Sequence, residues 1–342
     1  MMKAFYSTKQ ATHFPEHFLV NGVFQPNPEH PDRLARLAEG ASAAGLDVAE
    51  PRNHGMGPIA KVHTPEYLAF LKGAYKRWSY IDGASPAVVP DIRPVARDGK
   101  YPASVVAQAG YHMSDASSPI TGDTWDSICW SAWSAVEAAE AVLAGDQMAY
   151  ALCRPPGHHA AADIAGGFCY FNNSGIAATH LQSRFPRVAI LDVDLHHGNG
   201  TQQIFYRRSD VLTVSIHADP ERFYPFFWGH ANERGEGEGL GYNLNIPLPR
   251  QTGDVDYLKA LKVALDRVEA FAPDALVVAL GIDASIDDPF GGLAVTPDGF
   301  RSIGAAIADR AKCPTVIVQE GGYLSETLGL NLTRFLDGMR GA

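Results

Sequence analysis

The chain contains short apolar runs that alternate with longer amphipathic stretches. Five runs of strand length lie at residues 149–153, 187–194, 211–216, 275–281 and 314–319. They are mostly apolar without a two-residue alternation, which is typical of parallel strands with both faces covered. Segments with a helical pattern lie at residues 32–44, 65–78, 125–144, 173–184, 254–271, 297–312 and 325–339. The pattern predicts an α/β fold with a doubly wound, mainly parallel sheet flanked by helices.

One segment breaks this alternation. Residues 80–123 contain five prolines together with several glycines and aspartates. A loop of this length inside a compact domain is usually functional or disordered. No other stretch has the composition of a linker, so we expect a single domain over residues 1–342 with a Pro-rich loop insertion at 80–123.

The charge balance narrows the classes of partner. The 342 residues include 28 Lys and Arg against 38 Asp and Glu, a formal net charge of −10. This excess of acid disfavours nucleic acid, whose phosphates require basic patches, and is compatible with a small cationic substrate. No apolar run is long enough to span a bilayer, so we expect no membrane association.

The cysteines and the N-terminal residues bear on location. The chain has four cysteines without CxxC spacing, and its first residues lack the apolar stretch of a secretion signal. A disulfide framework is therefore not indicated. We expect a cytoplasmic protein whose thiols are reduced.

Reactive side chains follow each of the five predicted strands. They are, in chain order, His158, His159, Asp192, Asp194, His196, His217, Asp283 and Tyr323. The carboxyl ends of parallel strands meet at one edge of a sheet, where ligands bind. Each residue alone has an ordinary explanation, as a capping aspartate, a histidine in a surface turn or a packed tyrosine. Their joint occurrence predicts an active site.

Three of these residues have the character of metal ligands. Asp194 and His196 are two positions apart on an extended segment, so their side chains project in the same direction. Asp283 follows another strand and supplies a third candidate ligand. Three protein ligands leave positions open for water and substrate, which is typical of a catalytic site. An Asp–His–Asp set suits Zn²⁺ and also allows Fe²⁺, Co²⁺ or Mn²⁺.

The tandem histidines and the tyrosine suggest the remaining chemistry. His158 and His159 follow a stiff Pro-Pro-Gly turn, and histidine titrates near neutrality, as a general base must. Asp192 and Asn199 are the nearby candidates to orient the two rings. Tyr323 follows two glycines, and its hydroxyl is a candidate donor to a developing oxyanion.

At these residues the sequence resembles the histone deacetylase superfamily, which has the arginase/deacetylase fold. The matching motifs are CRPPGHH, GGFCYFNN, LDVDLHHGNGTQ, the aspartate of LGIDAS, and EGGY. The length and the Pro-rich segment are most similar to those of bacterial acetylpolyamine amidohydrolases. The resemblance implies a zinc-dependent amide hydrolase. Its substrates would be N-acetylated polyamines and diamines such as acetylputrescine or acetylcadaverine, and its products acetate and a free amine.

The resemblance implies two cation sites. Asp194, His196 and Asp283 would bind one Zn²⁺ per chain, with Fe²⁺ or Co²⁺ as alternatives. Asp192 and Ser215 would contribute to a structural K⁺ site, together with backbone carbonyls.

The resemblance also implies catalytic roles. His159 would be the general base and later the acid toward the leaving amine, and Tyr323 would polarise the acetyl carbonyl. His158 would assist electrostatically through a hydrogen bond to Asp192. Asn199 stands where some members have an aspartate, so His159 would have an uncharged partner and a lower pKa than with an aspartate.

The substrate-binding residues are implied in the same way. Gly167 and Phe168 match one wall of the family's acyl pocket, and Tyr224 matches the opposite wall. Arg33 resembles the arginine near an internal channel. No certain counterpart of a carboxylate that binds the substrate ammonium group is found, and Asp115 is only a candidate.

Partners and rival functions complete the hypothesis. The resembled enzymes imply a homodimer formed through the 80–123 loop. Three alternatives stay open at this point: a deacetylase of acetyl-lysine in proteins, a binuclear Mn²⁺ ureohydrolase of the same fold, and a non-catalytic module that binds acylated amines. The ureohydrolase requires a second metal and further carboxylates, whereas Asp283 is followed by Ala-Ser.

Overall fold

The computed structural model describes residues 2–341. Its strands are β1 Lys3–Phe5, β2 His17–Val20, β3 Val23–Pro26, β4 Asp47–Ala49, β5 Met148–Ala151, β6 Val188–Asp192, β7 Val211–Ala218, β8 Asn243–Leu248, β9 Ala275–Leu280 and β10 Thr315–Gln319. Its α-helices are α1 Asp32–Ala43, α2 Gly57–Ala60, α3 Pro65–Trp78, α4 Val105–His112, α5 Thr124–Leu143, α6 Asn173–Leu181, α7 Asn199–Phe205, α8 Asp254–Phe271, α9 Pro297–Arg310 and α10 Leu328–Arg340.

Eight strands form one sheet in the order β4-β1-β5-β10-β9-β6-β7-β8. Every neighbouring pair in this sheet is parallel. The five strands predicted from apolar runs are the five adjacent strands β5, β10, β9, β6 and β7. The predicted α/β fold with a parallel sheet is confirmed. The prediction of a single domain over residues 1–342 stays a prediction.

The apolar runs have no alternation because the sheet is covered on both faces. On β6, Ala189 and Leu191 belong to one core, whereas Val188 and Ile190 belong to another. Helices α1, α8, α9 and α10 enclose the first core, and α5 and α6 pack over the second. Helices therefore cover the side chains on both faces of the strand, which favours an apolar residue at every position.

The 80–123 segment differs from the long loop that the sequence predicted. It contains α4, and the backbones of Val88 and Ile120 pair across it. Ala109, Met113 and Ile120 are buried in a third apolar core that includes residues of α3 and α5. Because α4 is only two turns long, its stability depends on this packing more than on a visible sequence period.

Other elements were missed or shifted. Strands β1, β4 and β8, the hairpin formed by β2 and β3, and the short helices α2 and α7 had not been predicted, and α10 begins at Leu328 instead of residue 325. Most of these elements are too short to produce a recognisable period. Within residues 2–341, no helix combines the length and apolar character that crossing a membrane requires.

Candidate active site

Four neighbouring strands deliver the predicted reactive residues to one edge of the sheet. Strand β6 leads into Asp194 and His196, β9 into Asp283, β10 into Tyr323, and β5 into the turn that carries His159. These strands are adjacent, in the order β5-β10-β9-β6. Residues far apart in sequence consequently meet where their loops leave the sheet, as expected for a parallel α/β fold.

Asp194, His196 and Asp283 converge in the interior. One ligand atom from each lies within 4.8 Å of the others, and all three residues are buried. The Nδ1 atom of His196 lies 3.1 Å from Asp283 Oδ2 and 3.4 Å from Asp194 Oδ1. Backbone N–H groups hold the carboxylates, because Gly321 donates to Asp194 and Leu195 donates to Asp283.

The electrostatics of this triad fit a bound cation. Burial opposes ionisation of Asp194, but His158 and His196 outweigh it and hold the pKa of Asp194 well below its usual range. Burial and the charge of Asp194 raise the pKa of Asp283 to about 6. Burial alone would lower the pKa of His196, yet the two carboxylates raise it to about 9. A divalent ion would bind both carboxylates and the neutral imidazole of His196 together, and its binding would release the proton of that imidazole.

The two adjacent histidines have different partners. His158 Nδ1 lies 2.9 Å from Asp192 Oδ2, and His159 Nδ1 lies 2.7 Å from the side-chain oxygen of Asn199. Burial would lower the pKa of His158, but Asp194 and Asp192 raise it to about 10. Burial and the nearby His158 and His196 hold the pKa of His159 well below its usual range. These surroundings therefore favour the charged form of His158 and the neutral form of His159.

Tyr323 is held in place through its backbone and its ring. Its N–H donates to Asp288 Oδ2 at 3.0 Å, and its ring lies 4.7 Å from that of Phe290. The guanidinium of Arg33 lies 4.8 Å from the ring centroid. Burial raises the pKa of the hydroxyl well above its usual value, so the phenol stays protonated and able to donate.

A cavity of about 270 Å³ joins these groups. His159, His196 and Tyr323 line it and are 6%, 7% and 3% exposed. We call these three residues the floor. Four other residues that line the cavity are solvent-exposed, and we call them the rim: Val20, Asn21, Arg222 and Phe226.

Gly167, Phe168 and Tyr224 also line the cavity. Gly167 has a φ of +54°, and a Cβ at this position would lie only 2.4 Å from Cδ2 of His159. A side chain here would therefore displace the His159 ring. The Tyr224 ring lies 4.9 Å from that of His159, nearly perpendicular to it.

Asp115 supports both walls of the cavity. The Tyr224 hydroxyl donates to its Oδ2 at 2.7 Å, and the Gly167 N–H donates to the same oxygen at 3.1 Å. The N–H of Ser117 donates to the other oxygen at 2.8 Å. In these bonds Asp115 accepts hydrogen bonds from protein groups behind the cavity walls. The sequence had suggested Asp115 only as a candidate to bind the substrate ammonium group.

The two side chains predicted for K⁺ lie next to each other. Asp192 and Ser215 are paired residues of β6 and β7, and both line a cavity of about 10 Å³. The Ser215 hydroxyl lies 2.7 Å from Nδ1 of His217. This volume corresponds to about one water-sized sphere.

Several residues of the site escaped prediction. Phe18, Phe223 and Phe290 line the cavity, and Asp288 and Glu320 accept hydrogen bonds from the turns that carry Tyr323 and His158. Glu320 lies inside the EGGY motif, so its position was a signal, but only the fold shows its partners. The phenylalanines have no local signal, because they come from a hairpin and two loops.

Comparison with known proteins gives a consistent result. The histone deacetylase domain model matches residues 27–339. The acetylpolyamine amidohydrolase of Burkholderia pseudomallei is 46% identical over 338 residues, which cover 98% of each chain. Acetylpolyamine amidohydrolase 1 of Pseudomonas aeruginosa is 42% identical over 346 residues, covering 100% of this chain and 99% of the relative.

Solved structures agree. A crystal structure of the acetylpolyamine aminohydrolase from Burkholderia pseudomallei superposes with a TM-score of 0.95 at 46% identity, covering 99% of this chain and 98% of that one. The HD domain of HDA15 superposes with a TM-score of 0.82 at 28% identity, covering 100% and 91%. The chain belongs to the histone deacetylase family. It is a hydrolytic deacetylase of a metal-dependent family, and Asp194, His196 and Asp283 form its candidate metal site.

Proposed function

We propose that the protein removes the acetyl group from N-acetylated polyamines and diamines with the help of Zn²⁺. The observation that supports this most is the meeting of a neutral histidine, a protonated tyrosine and a metal-ligand triad around one cavity of about 270 Å³. Relatives named acetylpolyamine amidohydrolases, which match the chain over nearly its full length, support the choice of substrate.

Asp194, His196 and Asp283 would hold the ion. Two carboxylates and one imidazole suit Zn²⁺, and Fe²⁺ or Co²⁺ accept the same ligands. When bound, the ion acts as a Lewis acid toward the acetyl carbonyl and the attacking water.

His159 would move the protons. Its lowered pKa keeps the ring neutral at pH 7, so Nε2 can take a proton from the attacking water. Asn199 fixes the ring by its contact with Nδ1. The protonated ring would then donate to the departing nitrogen, since an amine leaves far more readily than its anion. His158, whose pKa is raised by Asp194 and Asp192, would in its charged form favour the negative charge that develops nearby.

Tyr323 would stabilise the carbonyl oxygen. Its phenol is protonated and lines the cavity, so the hydroxyl is able to donate to the oxygen as negative charge grows. Phe168 and Tyr224 would enclose the aliphatic part of the substrate, together with Gly167.

Recognition of the substrate's ammonium group requires a separate source of negative charge. The cavity is lined by Arg222 and by no carboxylate among residues 2–341, while Asp115 is engaged with its walls. The proposal therefore includes a homodimer, formed through residues 80–123, in which the partner narrows the entrance.

The proposal also includes the cytoplasm as the location, which the four free thiols favour.

A structural K⁺ is the last component of the proposal. Asp192 and Ser215 would contribute oxygen ligands next to the turn that orients His158. A cation there would offset the charge of Asp192, whose pKa burial already raises. Its effect would be measured as the dependence of activity on added K⁺ at constant ionic strength.

A second candidate substrate is acetyl-lysine in proteins. The exposed rim favours this alternative, because Phe226 is 51% exposed and its neighbour Phe227 is 81% exposed. Exposed apolar surface around a pocket is typical of a contact with a larger partner.

One panel assay tests both candidates. Acetylputrescine, acetylcadaverine, acetylspermidine and an acetyl-lysine peptide would be compared by kcat/KM on zinc-loaded protein, with His159→Ala as the matched inactive control. We expect every acetylated polyamine to exceed the peptide. A higher kcat/KM for the peptide would transfer the proposal to protein substrates, and no turnover of any compound would reject both.

A further inference from the structure

Glu320 is a fully buried carboxylate with no role in the proposed chemistry. Its Oε2 accepts the N–H of Gly157 at 2.6 Å and the N–H of His158 at 2.9 Å. Its Oε1 accepts the hydroxyl of Ser174, on α6, at 2.6 Å. Both oxygens thus act as acceptors, and one of them binds two consecutive N–H groups of the turn that presents His158 and His159.

The backbone of the same residue belongs to the turn that presents Tyr323. The Glu320 N–H donates to the carbonyl of Leu280 at the end of β9, at 2.8 Å. Its carbonyl accepts from Arg33 Nη2 at 2.9 Å, and the next N–H, that of Gly321, donates to Asp194 at 2.7 Å. Glu320 is therefore fixed on one side to the tyrosine turn and on the other to the histidine turn.

The histidine turn has little space to move toward its other neighbours. A Cβ on Gly157 would lie 2.4 Å from the backbone nitrogen of Asn173 and 2.6 Å from the carbonyl oxygen of Phe171. The start of α6 therefore limits the turn on one side, and the carboxylate of Glu320 holds it on the other. Without that acceptor, two buried N–H groups would need other partners, and the turn would have to shift to find them.

We infer that Glu320 is a positioning residue that sets the distance between the base His159 and the oxyanion donor Tyr323. The inference rests on the proposed function, because it takes the roles of those two residues from it. Neither oxygen of Glu320 lines the cavity, so its effect would be transmitted through the two turns. Displacements of about 1 Å at reacting groups are enough to lower rates by about 10²-fold.

Three variants separate the tether from the charge. Glu320→Gln keeps an oxygen for the two N–H groups and can offer its amide to Ser174, so it removes only the charge. Glu320→Asp keeps the charge but shortens the side chain by one methylene. Glu320→Ala removes both. Ser174→Ala is the matched control, because it removes a hydrogen bond of the other oxygen and leaves the tether intact.

The measurements are kcat and KM for an acetylated diamine, bound metal per chain, and the thermal unfolding midpoint. We expect Glu320→Ala and Glu320→Asp to lower kcat by about 10²-fold with little change in KM. We expect Glu320→Gln and Ser174→Ala to stay within about tenfold of wild type, at unchanged metal content. If Glu320→Ala does not fold, Glu320→Asp against Glu320→Gln gives the same comparison.

Two results would overturn the inference. Glu320→Asp with wild-type kcat beside an inactive Glu320→Gln would show that the charge acts, and not the reach. Activity lost in proportion to bound metal would show that Glu320 acts through the metal site. Wild-type protein and His159→Ala are assayed in parallel, so that failure of the proposed function, seen as inactive wild type, is distinguished from failure of this inference.

Discussion

The floor residues of the cavity are held by more hydrogen bonds than the rim residues. At the floor, His159 and His196 are buried beside carboxylates and amides that fix their rings, and Tyr323 is held through its N–H. At the rim, Arg222 is exposed and pairs with no carboxylate among residues 2–341, and Phe226 is 51% exposed. Substitutions at the floor should therefore change kcat, whereas substitutions at the rim should change KM by small factors.

Removal of the metal should have the largest effect. We expect chelation to abolish hydrolysis and added Zn²⁺ or Co²⁺ to restore it, because Asp194, His196 and Asp283 form a candidate three-ligand site, which would leave positions open for water and substrate. Metal analysis should find about one ion per chain at the catalytic site, against two for a binuclear ureohydrolase. Full activity in a preparation shown to be free of metal would contradict this part of the comparison.

The next effect should distinguish the two floor histidines. We expect His159→Ala to lose more activity than His158→Ala, since the proposed function assigns both proton transfers to His159, whose pKa is lowered, while that of His158 is raised. General acid–base catalysis contributes about 10²–10⁴-fold to kcat. Equal and small losses, measured at constant metal content, would mean that the base is a different residue.

Tyr323→Phe should lower kcat by about 10²–10³-fold, the range seen when one oxyanion donor is removed. KM should change little, because the hydroxyl gains more from the charged transition state than from the neutral substrate. The ring contacts with Phe290 and Arg33 remain, so the unfolding midpoint should stay near that of wild type. A variant that retained near-wild-type kcat would assign Tyr323 a packing role.

The smallest effect should come from the rim. Arg222→Gln should lower KM for an acetylated diamine by about twofold to fivefold, because it removes a like charge at the entrance, and exposed charge pairs are weak. Arg234→Gln is the matched control, since Arg234 is exposed but does not line the cavity. The difference should disappear at high salt. A fall in kcat for Arg222→Gln would show that rim and floor are coupled.

Much of the floor could be predicted because local spacing and strand ends determine it. Asp194 and His196 are two positions apart after a buried strand, and a parallel sheet brings them to the edge that receives Asp283. The hydrogen bonds that support the cavity walls and the histidine turn could not be predicted in this way. Tyr224 and Asp115 are 109 positions apart, and Glu320 and Gly157 are 163 apart, so no local pattern relates them.

The sequence by itself determined which apolar runs are buried on both faces and which reactive residue follows each run. Apolar periodicity and side-chain chemistry are local properties, so they can be recognised without the fold. Only the tertiary structure decided that α4 forms within residues 80–123, that Asp115 supports the cavity walls, and that Glu320 joins two turns. These features depend on hydrogen bonds and packing between distant segments, which exist only once the sheet has brought their loops together.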